Sequence, residues 1–286
     1  MDSKSDALKK LDRIDDLPTL PVIAMEVNKM LQDYDISIDK LSKTIEKDQS
    51  MVPKILKLVN SAFFGFRAKI SDINRAVIVL GFNTIRNAIV SISIINAFSK
   101  KDILEGFDIA EFWTHSIGVA VTSKHLAKMT GMNRPEDCFT GGLLHDIGKV
   151  VLVQYLQDFF KKVWTSAKEN NLSFYDAEKK EIPIAHPRIG GYLTKKWQLP
   201  AGLVDSVRFH HTPTKSAKDY DLLVIIHAAD IIVNSIVEGS PENIDLSKIN
   251  PEVAELMQPQ LDSVSDWYPE VSTEIESACE FFLKEI

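Results

Sequence analysis

Histidine and aspartate stand side by side in Gly141-Gly142-Leu143-Leu144-His145-Asp146-Ile147-Gly148-Lys149. An imidazole and a carboxylate are both ligands for a divalent cation. Consecutive residues on a regular helix point about 100° apart, so both reach one ion only at a helix end or break, and Gly148 is read as that break. Glycines on either side let another backbone or a ligand come close. Further donors fall at intervals that place them on separate helices: His115 in Phe112-Trp113-Thr114-His115, His186 in His186-Pro187-Arg188-Ile189-Gly190, the pair His210-His211, and Asp230. One carboxylate can bridge two ions. Asp146 is the natural bridge, with His145, His115 and Asp230 completing one site and His186, His210 and His211 the other. Glu111, four residues before His115 on the same helix face, could add a ligand or orient one. Neutral imidazoles with carboxylates suit zinc, iron, manganese or nickel. His125 and His227 are read as structural, and Trp113 and Trp197 as core packing.

The elements that must position these donors are expected to be all α-helical. Helix punctuation recurs along the chain, and no Asn-Gly or Asp-Gly hairpin pattern interrupts it. Leu17-Pro18-Thr19-Leu20-Pro21 leads into Ile23, Val27, Met30 and Leu31 at helical spacing. Ser37 is expected to cap a second helix carrying Leu41 and Ile45, Ser50 a third carrying Ile55, Leu56 and Val59, and Ser71 a fourth closed by Gly81. The segment Ile85 to Phe98 is rich enough in β-branched residues to permit a strand, but its length and its apolar faces favour a central buried helix. Lys100 to Phe107 is a polar connection and the candidate boundary between two subdomains. Beyond it, Ile109 to Met129 reads as one long helix, Pro135 starts the helix that reaches His145, and Ile147 to Phe160 follows. Ser173 caps a short helix, His186 opens the next, Pro200 introduces one ending at His210-His211, and Leu222 to Val237 carries His227 and Asp230. From about Gly239, Pro241, Pro251, Pro259 and Pro269 are expected to divide an appended tail into short amphipathic pieces. No internal repeat is visible.

Composition narrows the function classes. The chain has 286 residues, 45% hydrophobic and 26% charged, which is ordinary globular usage. A formal charge of −7 argues against a general nucleic-acid binder, whose footprint would be a basic patch. The longest apolar stretch, Ala88 to Phe98, is too short to span a bilayer, so no membrane span is expected. Met1 to Lys10 is polar and lacks a secretory apolar core. Only Cys138 and Cys279 are present, which fits a reducing, cytoplasmic setting and excludes a cysteine-rich zinc site.

Taken together, Leu17-Pro18-Thr19-Leu20-Pro21, the Asp48 to Gly65 stretch with Leu58-Val59-Asn60-Ser61-Ala62, Ala76-Val77-Ile78-Val79-Leu80-Gly81, the His145-Asp146 segment and Trp197-Gln198-Leu199-Pro200 followed by His210-His211 form a specific pattern. It resembles the HD superfamily of metal-dependent phosphohydrolases, and within it the HDOD family, the HD-related output domains of bacterial signalling proteins. The resemblance covers roughly residues 15 to 235. It implies a multi-helix HDOD fold: a lead-in over 1–15, an N-terminal helical subdomain over 16–105, an HD-phosphohydrolase-like subdomain over 106–238, and a helical tail over 239–286. Many HDOD members resemble degenerate HD domains that regulate without catalysis. Here the positions matching the ligand set of HD-GYP cyclic-dinucleotide phosphodiesterases are present: Glu111, His115, His145, Asp146, His186, His210, His211 and Asp230. Lys149 matches the lysine that contacts phosphate in those enzymes. The chain departs from them after His211, where Thr212-Pro213-Thr214-Lys215 replaces the Gly-Tyr-Pro element. The resemblance thus implies a regulatory module that holds one or two divalent metal ions and contacts signalling proteins in trans. The alternative is a phosphohydrolase or phosphodiesterase acting on a nucleotide or cyclic dinucleotide, with Asp146 and Lys149 as catalytic residues.

Overall fold

A computed structural model describes residues 19–30, 36–60, 69–99, 107–132, 134–236 and 244–283. Among the described residues every regular element is a helix. The Leu17-Pro18 lead-in, Leu31, most of the Lys100 to Phe107 connection, and Gly239 with Pro241 lie outside the described residues.

The first five helices are α1 (Val22–Met30), α2 (Ile38–Glu46), α3 (Met51–Val59), α4 (Ile73–Leu80) and α5 (Phe82–Phe98). Ser37 caps α2, its hydroxyl accepting from the Lys40 amide at 3.2 Å. The next two caps fall to neighbouring carboxylates. Asp48, not Ser50, accepts from the Ser50 and Met51 amides at 3.0 and 3.2 Å, and Asp72, not Ser71, accepts from the Arg75 amide at 2.8 Å. An ionised acceptor makes the stronger bond to a helix N-terminus. Gly81 closes α4 at φ 80°, a left-handed conformation that suits glycine. α5 is helical despite its β-branched residues, because it is buried on nearly all faces from Ile85 to Ile95 and packs on α1, α3, α4 and α7.

The remaining helices are α6 (Ile109–Met129), α7 (Pro135–Leu144), α8 (Ile147–Tyr155), α9 (Gln157–Glu169), α10 (Phe174–Glu181), α11 (His186–Lys196), α12 (Ala201–Phe209), α13 (Tyr220–Ser235), α14 (Pro251–Asp262) and α15 (Val264–Leu283). Their axis is α6, against which α7, α13 and α15 all pack. Ile147 to Phe160 is not one helix: Leu156, at φ −128° and ψ 47°, breaks it into α8 and α9. The break places Phe160 between Phe107 and Phe174, each 5.7 Å away by ring centroids.

The tail also differs from expectation. α14 and α15 continue through Pro259 and Pro269, where a proline costs about 3 kcal/mol in a helix interior. Against that cost α15 buries Val264, Trp267, Tyr268, Val271 and Phe282, each large side chain contributing roughly 1.5–3 kcal/mol. Burial therefore wins. Trp267 stacks on His125 at 5.1 Å, which accounts for that histidine as a packing residue. A single contiguous apolar cluster runs from Leu20 through Trp113 to Phe282, so the tail is part of the core rather than an appendage.

Among the described residues, hydrogen bonds at three places tie the first five helices to the rest, one of them from Gln154 on α8 to the Phe98 carbonyl at 3.1 Å. Arg86 and Asn87 on α5 both donate to Asp137 Oδ1 on α7, at 2.8 and 2.9 Å. Asn28 on α1 donates to the Gln198 carbonyl beyond α11 at 2.7 Å. Among the described residues no single helix is long and apolar enough to cross a membrane. The α4–α5 pair passes on composition only, bends by 117°, and α5 is mostly buried in the core.

Candidate metal centre

The break between α7 and α8 falls at His145 and Asp146 themselves. His145 closes α7 in the helical region, and Asp146 precedes α8 at φ −99° and ψ 6°. Straddling two helices turns the neighbouring side chains into one space. Gly148 is not the break but lies inside the first turn of α8, where it solves a different problem. A Cβ at this position would sit 2.1 Å from the carbonyl oxygen of His186 and 2.9 Å from the Gly190 nitrogen, so only glycine lets α8 and α11 approach this closely.

Around Asp146 converge side chains from five other places: His115 from mid-α6, His145 at the end of α7, His186 at the first position of α11, His210-His211 past the end of α12, and Asp230 from α13. Their donor atoms gather in two sets that share Asp146: His115 with His145, and His186 with His210 and His211. Asp230 joins His145 and His210 in a third group. Its Oδ1 lies 3.3 Å from His115 Nε2 and 3.5 Å from His145 Nε2, and its Oδ2 lies 3.9 Å from His211 Nδ1. Asp146 Oδ1 lies 2.9 Å from His186 Nε2 and 3.6 Å from His210 Nε2, while Oδ2 lies 3.3 Å from His145 Nε2 and 3.9 Å from His115 Nε2. Glu111 belongs to none of these sets. It is exposed, one turn before His115 near the start of α6.

Each buried ring is aimed from behind. His145 Nδ1 meets the Gly142 carbonyl at 2.6 Å and His210 Nδ1 the Val207 carbonyl at 2.8 Å, in both cases a free carbonyl of the final helical turn. His186 Nδ1 meets Glu178 Oε2 at 2.5 Å, and Glu178 Oε1 accepts from the His186 amide at 2.8 Å. With Nδ1 donating, each of these rings in its neutral form presents an Nε2 lone pair to the centre. Two such atoms, on His186 and His210, face each other at 3.3 Å. His145 Nε2, Asp146 Oδ1 and His211 Nε2 are buried without a hydrogen-bond partner. Lone pairs and carboxylates held together in this way require positive charge between them, so the donor set fits a divalent cation.

The same demand shapes the titration. Burial opposes charge on His145, but Asp146 and Asp230 overcome it and push the imidazole up to about 10. His186 is likewise raised, burial being outweighed by Glu178 and Asp146. Burial would raise both carboxyls, yet His145, Lys149 and His186 hold Asp146, and His115 with His145 hold Asp230, well below the usual carboxylate range. His210 is pushed down to about 4 by burial, and His211 is lowered by burial and by His210 and His186. Lys149, in the first turn of α8, lies 2.5 Å from Asp146 Oδ2 and is raised, burial being offset by that carboxylate. His115, His211 and Lys149 keep 21–23% of their side chains exposed, while His145, His186, His210 and both aspartates are essentially closed off.

Two residues of the centre escape a reading by motif. Glu178 is wholly buried on a helix that otherwise looks solvated. Its one signal is its place four residues after Phe174 and next to Ala177, on the face that packs. Tyr175 stacks on His211 at 4.2 Å and 24°. His227 is structural, as read: its Nδ1 meets the His210 carbonyl at 2.6 Å and its Nε2 accepts from the Asn250 amide at 2.9 Å, which fixes the turn that delivers His210-His211.

The HDOD domain profile matches residues 17–213. A curated relative, an uncharacterized protein of Treponema pallidum (strain Nichols), is 28% identical over 214 residues. That alignment takes in 74% of this chain but only 41% of the relative's length. Among solved structures, a Shewanella amazonensis SB2B protein provisionally assigned as a phosphohydrolase superposes with a TM-score of 0.74 at 24% identity, covering 96% of this chain and 97% of its own. A Marinobacter aquaeolei VT8 protein provisionally assigned to signal transduction gives a TM-score of 0.75 at 18% identity, covering 98% of this chain and 66% of its own.

Proposed function

The chain belongs to the HDOD domain family, and we propose that it is a regulatory module built round a divalent-metal centre and read by signalling proteins in trans. The observation that carries the metal reading is the orientation of His145, His186 and His210, each fixed through Nδ1 so that Nε2 faces Asp146. His115, His145 and Asp230 would hold one ion, His186, His210 and His211 the other, and Asp146 would bridge them. Zinc, iron, manganese and nickel all suit these donors. The regulatory reading rests on the Arg86–Asp137 contact. It joins α5 to the helix whose last residue is followed by His145, so the state of the centre and the packing of the first five helices share a rigid element. Hydrogen exchange with and without manganese tests it. Protection is expected to rise in residues 73–98 as well as around the centre, and a change confined to residues 109–235 would contradict it.

One observation favours hydrolysis as a second reading. His115, His211 and Lys149 are each partly exposed at a centre whose other members are sealed. A metal ion bound there would supply Lewis acidity toward a phosphoryl oxygen. The Lys149 ammonium would hold a second oxygen of the same group, Asp146 would keep that ammonium in place, and Tyr175 would fix His211 at the edge of the centre. The substrate class would be a nucleotide or cyclic dinucleotide. Turnover of such phosphodiesters by manganese-loaded protein above an Asp146→Asn control would establish this reading. Equal rates would remove it and leave the regulatory one intact.

A further inference from the structure

Arg188 and Arg208 face a groove on the outer side of the metal centre's supports, Glu178 and Tyr175. It has a volume of about 340 Å³ and is lined by chain neighbours of His186 and of His210-His211, but by none of the candidate ligands. Among the described residues neither guanidinium has a carboxylate partner, whereas Lys179 at the same rim is neutralised by Asp176 at 2.6 Å. Glu178 is the one carboxylate on the wall. It is wholly buried with both oxygens turned to His186, so it presents no charge to the groove.

The arginines come with fixed aromatic surface. The stem of Arg208 packs so closely on Gly191 that a Cβ there would lie 2.9 Å from Arg208 Cβ, and its guanidinium lies 5.1 Å from the Phe209 ring. Tyr175, also on the lining, is held by its stack on His211, and the flexible Lys179 side chain, its Nζ 4.8 Å from the ring centroid, is what an incoming ring would displace. Planar guanidinium forks match phosphate oxygens in pairs, and rings fixed beforehand accept a flat heterocycle at little entropic cost. The volume suits a ligand at the small end of the usual range, about 300–1,000 Å³.

We propose that this groove binds a phosphorylated ligand carrying a planar ring, of mononucleotide size, at a site separate from the metal centre. Arg188 and Arg208 hold the phosphate, and Tyr175 and Phe209 flank the ring. Because Glu178 forms both the groove wall and the support of His186, the occupant sits one residue from the centre without touching it. The site needs no metal.

Isothermal titration of the full chain, stripped of metal with EDTA, tests the proposal with GMP, AMP, ribose 5-phosphate and inorganic phosphate as probes. At least one nucleotide is expected to bind, with ribose 5-phosphate and phosphate weaker by about tenfold or more. Arg188→Gln and Arg208→Gln should each weaken nucleotide binding by about tenfold or more while keeping the parent's thermal midpoint and manganese uptake. Asp146→Asn, which alters the centre, should leave nucleotide binding unchanged. Absence of nucleotide binding by the parent, binding indifferent to both arginine variants, loss of binding in Asp146→Asn, or ribose 5-phosphate binding as tightly as both nucleotides would each overturn it.

Discussion

The imidazole of His186 is gripped on one side by Glu178, which bonds both its ring and its amide, and on the other it offers Nε2 to Asp146. Removing such a support leaves the ligand present but free to rotate, and typically costs about 10–100-fold in metal affinity. Glu178→Ala is therefore expected to weaken manganese by that factor in competition with a chelating dye, with stoichiometry preserved at saturating metal. An affinity equal to the parent's would show that His186 does not ligate. A second expectation follows from His145, which Asp146 and Asp230 push up to about 10. Below that pH the ring carries a proton that an incoming cation must displace, so apparent affinity should rise as pH rises from 6 to 8, and uptake should release at least one proton at neutral pH. Titrations in buffers of different ionisation enthalpy measure that release. A heat independent of buffer would contradict it. At this scale the cluster was largely visible beforehand, because His115, His145, Asp146, His186, His210, His211 and Asp230 are unusual donors at separate helix positions. Glu111 shares the His115 face by helix periodicity but stands exposed outside the clustered donors, because periodicity fixes a face and not how far along the axis that face stays buried. Glu178 was missed because its spacing from Phe174 marks a buried face only once α10 is seen packed on α9.

Helix ends do most of the positioning. His145, His186 and His210 all occupy terminal or capping positions, where the backbone changes direction and a side chain can point along the axis rather than across it. The close approach of α8 and α11 is the most demanding of these arrangements. Gly148→Ala would place a methyl against the backbone of His186 and Gly190, atoms that cannot swing aside as a flexible side chain can. Overpacking of this kind costs roughly 1–3 kcal/mol, and here it also pushes a ligand. The variant is expected to lose thermal stability and metal together. Retention of both would show that the two helices are free to part. Helix identity was legible from apolar spacing and from Pro and Gly punctuation, even in the β-branched α5. The errors lay where a neighbour competes: a carboxylate took the caps read for Ser50 and Ser71, Leu156 broke a segment with no proline or glycine to announce it, and Pro259 and Pro269 sit inside helices because tertiary burial outweighs local propensity.

Among the described residues one apolar core spans both halves, and the hydrogen bonds that cross it are few, the Asp137 pair being buried. Arg86 is the principal counter-charge of Asp137 and only 8% exposed, so Arg86→Met would strand a buried carboxylate with only Asn87 and the more distant Arg134 beside it. Breaking a buried pair from one side costs about 3–5 kcal/mol, and the remaining contacts place this case toward the lower end. Urea denaturation is expected to show that loss with the folded protein still binding metal, whereas an unchanged midpoint would mean that the halves do not depend on this contact. Such a link would not be seen in the sequence, since positions 86 and 137 share no motif and meet only once α5 lies on α7. The metal-centre reading, regulatory or hydrolytic, turns on a cation occupying the space around Asp146. Elemental analysis of protein purified without chelator, beside an Asp146→Asn variant, measures this directly. One to two equivalents of a divalent transition metal in the parent and a substantially lower content in the variant are predicted. A folded parent that stays metal-free even after dialysis against manganese, iron, zinc or nickel would contradict the account.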